Sequence, residues 1–227
     1  MPGTSPSIPH PPPCPVCLTP DVAPLLAVAQ RQYWRCSLCE ATFLDPAQRP
    51  TRAQEQAEYQ LHQNQTDDEG YRHFLKRLLS PLLEKLPPGA CGLDYGCGPG
   101  PALAAMLTEA GHPMALYDPL FFPQPGALGL QYDFITCTEV VEHFHRPFEE
   151  FGRLNQLLKP GGWLGIMTTF QTTDAAFERW HYRRDPTHVV FYRAHTFHCI
   201  ARQHGWACEV PRANVVLLRK APRGLGH

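Results

Sequence analysis

Glu139, Glu142 and His143 stand at relative positions i, i+3 and i+4, a spacing that on a helix places all three side chains on one face. Two carboxylates and an imidazole brought together repel one another unless a proton or a cation joins them. A divalent metal, Mg or Zn, is the economical occupant. A further ligand must come from elsewhere, and His188, in the run Asp185, Pro186, Thr187, His188, is the candidate. The plainer alternative is that these side chains pin loops by hydrogen bonds. Sulfur provides a second donor set: Cys14 and Cys17 form one C-x2-C pair, and Cys36 and Cys39 form another after eighteen intervening residues. Two such knuckles on a short β ribbon complete a closed tetrahedral site, the arrangement of structural zinc. Disulfide pairing is the weaker alternative, because the proline-rich start lacks the charged and apolar regions of a secretory signal.

A third group with chemical meaning is the run Leu93, Asp94, Tyr95, Gly96, Cys97, Gly98, Pro99, Gly100, placed between an apolar strand and an apolar helix. Glycines at Gly96 and Gly98 permit positive φ and let backbone N–H groups approach a nucleoside closely. The pattern departs from the dinucleotide G-x-G-x-x-G: its third glycine comes one residue early and an acidic residue precedes the first. A ligand carrying a positive sulfonium and an amino group suits the Asp94 carboxylate better than a pyrophosphate does. Asp118, about 20 residues further on and at the end of the apolar run Met114 to Tyr117, stands where an acidic side chain reaches ribose hydroxyls.

The elements that must position these groups are legible in outline. Tyr132 to Thr138 reads as a buried strand, Thr138 to Phe144 as the start of a helix, and Leu158 to Phe170 as a turn entering another strand. Leu75, Leu78, Leu79, Leu82, Leu83 and Leu86 recur at helical spacing, predicting an amphipathic helix over about 68–86 with a kink at Pro81. Thr51 to Gln65, with Tyr59, His62 and Asn64, also reads helical. In order, LDYGCGPG, YDP, YDFITCTEVVEH, LKPGGWLGIMT and NVVLLRK resemble a class I methyltransferase of the ubiquinone-biosynthesis-like type, from about Leu75 to Lys220. The resemblance implies an α/β Rossmann-like fold and S-adenosyl-L-methionine (SAM) held by Asp94, Gly96, Gly98 and Asp118. It also implies an N-terminal lid, with Tyr59 and Tyr71 at the substrate entrance. One departure is the short stretch between Asp118 and Asp133, too brief for the usual helix, third strand and loop. The adenine contacts therefore stay open, with Phe121 and Phe122 as possible stacking faces.

The E-x-x-E-H set with a distal histidine is similar to that of metal-dependent ubiquinone-pathway O-methyltransferases and small-RNA 2'-O-methyltransferases. That likeness implies that Glu139, Glu142, His143 and His188 hold a cation beside the acceptor hydroxyl, with His181, Tyr182 and Tyr192 shaping the cavity or taking a proton. At 227 residues and 43% hydrophobic content the chain holds one α/β domain plus a small appendage. The expected layout is a proline-rich tail at 1–13, a four-cysteine zinc ribbon at 14–48, a helical lid at 49–88, the methyltransferase domain at 89–222 and a tail at 223–227. Twenty basic against 21 acidic residues give no global attraction to nucleic acid or an anionic membrane. No apolar run is long enough to span a bilayer, and a cytoplasmic location is expected. Cys91, Cys97, Cys137, Cys199 and Cys208 read as small buried apolar residues, and His62, His112, His145, His195 and His204 receive no role. The favoured acceptor is a small hydroxylated molecule, a catechol or vicinal diol. The alternatives are an RNA or tRNA methyltransferase docking through a ribbon whose basic edge is Arg31, Arg35, Arg49 and Arg52, and a non-catalytic SAM-binding interaction protein.

Overall fold

The computed structural model describes residues 11–61 and 66–222. In chain order, the hairpin β1 (Val22–Val28) and β2 (Arg31–Cys36) is followed by β3 (Thr42–Leu44), α1 (Arg52–Tyr59) and α2 (Glu69–Leu83). There follow β4 (Gly92–Tyr95), α3 (Ala102–Glu109), β5 (Met114–Tyr117), β6 (Tyr132–Thr138), α4 (Pro147–Leu157) and β7 (Leu158–Met167). The chain ends with α5 (Asp174–Phe177), β8 (Val190–Phe191), α6 (Ala194–His204) and the hairpin β9 (Trp206–Arg212) and β10 (Val215–Lys220).

The main sheet has the order β5-β4-β6-β7-β10-β9. Its first four strands are parallel, and β10 runs antiparallel to both β7 and β9. This is a Rossmann-like α/β sheet, the fold that the sequence resemblance implies. Only a 3-10 segment, Pro125–Gly129, lies between β5 and β6, so β5 forms the edge where a third strand would otherwise pair. Phe134, Ile135 and Cys137 of β6 are fully buried, the mark of a strand covered on both faces. On one face Leu75, Leu78 and Leu82 of α2 pack with Leu103 and Leu107 of α3 against Phe134 and Leu217. The Asp68 carboxylate caps α2 by accepting from the Tyr71 N–H at 2.6 Å. The helix stops at Leu83, two residues after Pro81, whose ring removes a donor from the final turn. Helix α1 is likewise shorter than the sequence suggests: Thr51 and Gln54 form its capping box and it closes at Tyr59. His62 and Asn64 lie outside the described residues, as do most of the N-terminal tail and the last five positions. Among the described residues no helix is long and apolar enough to cross a membrane.

The second sheet, β1-β2-β3-β8, is antiparallel and takes its last strand from far along the chain. Thr42 and Phe43 pair with Phe191 and Val190, and the Leu44 N–H donates to the Val189 carbonyl at 2.9 Å. Tyr33, Trp34, Phe43 and Phe191 are fully buried in one core with Ile135 and Ile166 of the main sheet and Phe197 of α6. At roughly 1.5–3 kcal/mol for each large apolar side chain, this shared interior binds the cysteine-bearing ribbon to the main sheet. The remaining cysteines depart in part from expectation. Cys137 and Cys199 are buried, Cys97 and Cys208 are half-buried, and Cys91 is exposed, because it precedes β4 at the rim of the sheet.

Candidate functional site

Asp94 lies one residue before the end of β4, deep in the molecule, and its Oδ1 accepts from the Thr136 hydroxyl at 2.7 Å. Burial pushes its pKa up to about 6, the Thr136 hydrogen bond opposes that shift, and the charge of Asp118 adds to it. The loop that follows is built for close approach. Gly96 has φ +78°, and a Cβ there would fall 2.7 Å from the Val140 methyl carbons. Gly98 has φ +63° with open space around it, and its N–H donates to Asp118 Oδ2 at 3.1 Å. Asp118 Oδ1 accepts from the N–H groups of Leu120 and Phe121 at 2.8 and 3.0 Å. The carboxylate therefore ties the glycine loop to the end of β5 while keeping lone pairs for a ligand. Phe121 and Phe122 are half-buried beside it.

The acidic and histidine cluster converges, but not on a helix. The expected helix at 138–144 is a single 3-10 turn, Val141–His143, preceded by Glu139 in the left-handed region at φ +52°. Leaving β6, the chain must reverse sharply, and the Glu139 N–H is held by the Met167 carbonyl at 2.8 Å. Even so, ligand atoms of Glu142, His143 and His188 all lie within 4.8 Å of one another. The Nδ1 of His143 faces the Thr187 carbonyl at 3.1 Å, and the Nδ1 of His188 faces the Tyr182 carbonyl at 2.7 Å. Carbonyls only accept, so each neutral ring carries its proton on Nδ1 and its lone pair on Nε2, the tautomer of a ligating histidine. The rings meet edge to face, 4.7 Å apart at 69°.

Glu139 joins this group through a phenol. The Tyr182 hydroxyl lies 2.5 Å from Glu142 Oε1 and 3.0 Å from Glu139 Oε2. Thr168 donates to Glu142 Oε2 at 3.0 Å. Glu139 Oε1 is buried without a hydrogen-bond partner. Burial, and then the charge of Glu142, push the Glu139 pKa up to about 8. Burial also raises Glu142, against the pull of His188, and lowers His188. One phenolic proton cannot serve two carboxylates, so a shared proton or a cation must complete the group.

Two aromatic residues cover these groups. Tyr59 sets its ring edge-on to His143 at 5.3 Å, and α1 is fastened nearby by the 2.8 Å contact of His145 with Glu55. Burial, and then the charges of Asp94 and Glu139, push the Tyr71 pKa up to about 12. Tyr192 is committed elsewhere, its hydroxyl donating to the Val141 carbonyl at 2.8 Å, and His181 is exposed. Sequence reasoning missed Thr168, which β7 delivers beside the end of β6, and gave Tyr182 no bridging role. Neither residue carries a spacing signal: sheet register brings Thr168 to the carboxylates, and the distant 3-10 turn His181–Arg184 brings Tyr182.

At the ribbon, Cys14, Cys17, Cys36 and Cys39 place their sulfurs within 4.8 Å of one another. All four are free thiols. The Cys14–Cys39 and Cys17–Cys36 sulfur separations are 3.6 and 3.5 Å, close to the edge of about 3.8 Å for a tetrahedron with metal–sulfur bonds of about 2.3 Å. The Cys39 N–H donates to Cys36 Sγ at 3.3 Å, support of the kind that orients thiolate ligands. Hydrogen bonds from the Cys14 and Cys39 thiols pull the Cys36 pKa down, while the same sharing pushes Cys14 and Cys39 up.

A family profile described as a methyltransferase domain matches residues 62–209. Among solved structures, the chain is similar to the Burkholderia thailandensis 1,6-didemethyltoxoflavin-N1-methyltransferase, which has 1,6-didemethyltoxoflavin and S-adenosylhomocysteine bound. The match has a TM-score of 0.54 and 16% identity, and covers 87% of this chain and 99% of that one. It is also similar to an O-methyltransferase family protein from the same organism, with a TM-score of 0.50 and 17% identity, over 78% of this chain and 65% of that one. Likeness at these identities is one of fold. No curated protein sequence matches.

Proposed function

Because the chain belongs to the methyltransferase domain family and folds as a class I SAM-dependent methyltransferase, we propose that it methylates a hydroxyl of a small catechol or vicinal diol. The observation that carries this reading is the convergence of Glu142, His143 and His188 within 4.8 Å, with both imidazoles pinned through Nδ1. In this reading Asp94, Gly96, Gly98 and Asp118 hold SAM. Asp94 faces the cofactor's positive charge, Gly96 and Gly98 admit it without a Cβ, and Asp118 takes its ribose hydroxyls.

Glu142, His143 and His188 would suit a divalent cation; Glu139 is not among the converging ligand atoms and joins them through the Tyr182 hydroxyl. Bound there, Mg or Zn lowers the pKa of the acceptor hydroxyl and orients its oxygen. The chain's own residues do the rest. Tyr182 and Thr168 fix the carboxylates by hydrogen bonds, and the Thr187 and Tyr182 carbonyls fix the rings. Tyr59 and Tyr71 shield the reacting atoms from water and align the acceptor with the methyl group. The four-cysteine set suits structural zinc, by donor type and by sulfur separation.

The nucleic-acid reading draws less support. Arg35 of the ribbon's basic edge is spent on Asp174 at 2.5 Å with its side chain 14% exposed. The test is to incubate the protein with methyl-labelled SAM and a small-molecule extract, then to assay Glu142→Ala and His143→Ala. Label in filterable product, lost in both variants while SAM binding persists, is the expected result. Undiminished turnover in both variants rejects the cation site. Label released only by nuclease from total RNA favours the RNA reading. No turnover on any substrate favours a non-catalytic SAM-binding protein.

A further inference from the structure

A cavity of about 450 Å³ lies between the ribbon, α1 and the segment before His188, lined by Arg31, Gln48, Arg49, Gln54, Glu58 and Thr187 among others. It belongs to neither the glycine loop nor the acidic cluster, yet it adjoins the latter. Thr187 lines it, and the Thr187 carbonyl is the partner of His143 Nδ1 at 3.1 Å. Helix α1 stands between the two spaces. Gln54, Ala57 and Glu58 face the cavity, while Tyr59 of the same helix lies against His143.

The charges of the cavity wall are unbalanced. Arg49 is partly buried and desolvated, which lowers its pKa against the pull of the Asp45 carboxylate, with which it forms no ion pair among the described residues. Its one hydrogen bond among the described residues is from Nη1 to the His145 carbonyl at 2.5 Å, and its Nε is buried with no partner. Arg31 is half-buried and forms no side-chain hydrogen bond or ion pair among the described residues. Other arginines that pack against this chain's surface find carboxylates: Arg35 and Arg193 meet Asp174, and Arg72 meets Glu109. Here Glu58 is the only acidic lining residue against two guanidinium groups, and it forms an ion pair with neither among the described residues. A partly buried arginine with idle donors is costly unless an anion completes it, and a planar guanidinium pair matches the oxygens of a carboxylate or phosphate.

We infer that this cavity is an anion subsite, in which Arg31 and Arg49 hold a carboxylate or phosphate borne by the methyl acceptor. The last clause rests on the acceptor reading given above; the anion site does not. The acceptor is then an acidic hydroxylated molecule, with its charged group beyond Thr187 and its hydroxyl at the Glu142, His143 and His188 cluster.

The experiment titrates inorganic phosphate and, separately, acetate into the full-length protein and into Arg31→Gln and Arg49→Gln, by calorimetry, with SAM affinity and thermal midpoint measured on each. Saturable binding of either anion, weakened about tenfold or more in both variants while SAM affinity holds, is the expected result, and the stronger anion identifies the source. Arg31→Gln guards against misfolding, because the Arg31 side chain forms no hydrogen bond or ion pair among the described residues. No binding of either anion, or equal binding by wild type and Arg31→Gln, overturns the subsite. Anion binding without methyl transfer sustains the subsite and rejects the acceptor reading alone. In the labelled-extract assay, methylated product retained on an anion exchanger, with KM raised in Arg31→Gln and kcat little changed, sustains the full proposal. An uncharged product made equally well by Arg31→Gln overturns the link to the acceptor.

Discussion

Asp94 shows how much one buried carboxyl can decide. Its folded pKa of about 6 lies above the ordinary 3.8, so the folded protein without ligand holds this proton more tightly than the unfolded chain does. Stability on this account falls as pH rises from 3.8 to about 6, by up to roughly 3 kcal/mol. A cationic ligand demands the opposite, the ionised form. SAM affinity is therefore expected to weaken by up to about tenfold for each pH unit below about 6, and Asp94→Asn should flatten that dependence while weakening binding at neutral pH. Calorimetric titrations between pH 5 and 7 check both. The same residue was legible in the sequence, because a carboxylate before a glycine-rich turn is a local pattern. Glu142 and its neighbours were legible as a set of types only. Their approach depends on Tyr182, Thr168 and the left-handed turn at Glu139, which no spacing encodes.

At the scale of elements, the glycine loop separates two demands. Gly96→Ala places a methyl 2.7 Å from Val140 at positive φ and is expected to cost roughly 3 kcal/mol and SAM binding together. Gly98→Ala meets no atom within 4 Å, so its cost is that of the left-handed backbone, about 1 kcal/mol. A thermal melt of each variant with a SAM titration tells the two apart, and equal melting losses would contradict this account. Strands β4 to β7 and helix α2 could be read from the sequence because their apolar periods are strong and local. The supposed helix at 138–144 could not, since its i, i+3, i+4 spacing is compatible with any tight turn. The edge position of β5 followed from chain length alone: the segment up to β6 has no room for another strand and crossover.

For the whole molecule, the cysteine ribbon works as a clamp on the acidic cluster. The Val189 N–H donates to the Glu142 carbonyl, and the Val189 carbonyl accepts from Leu44, each at 2.9 Å. The Pro15 carbonyl, beside the first knuckle, accepts from the Phe148 N–H at 3.0 Å. Cys36→Ser, or chelation of the zinc proposed for the ribbon, is expected to lower the thermal midpoint by several degrees and to abolish methyl transfer. SAM binding, which the proposed site puts at the ends of β4 and β5, should fall much less. Metal analysis by mass spectrometry, with SAM titration and turnover on the same sample, checks this; full turnover in a zinc-free Cys36→Ser protein would contradict it. The borrowed strand β8 also orders the protein's assembly in time. Thr42 is made well before Phe191, its partner. The growing chain therefore carries an open strand edge until that partner is made, and the closing step is a long-range one, slow by topology.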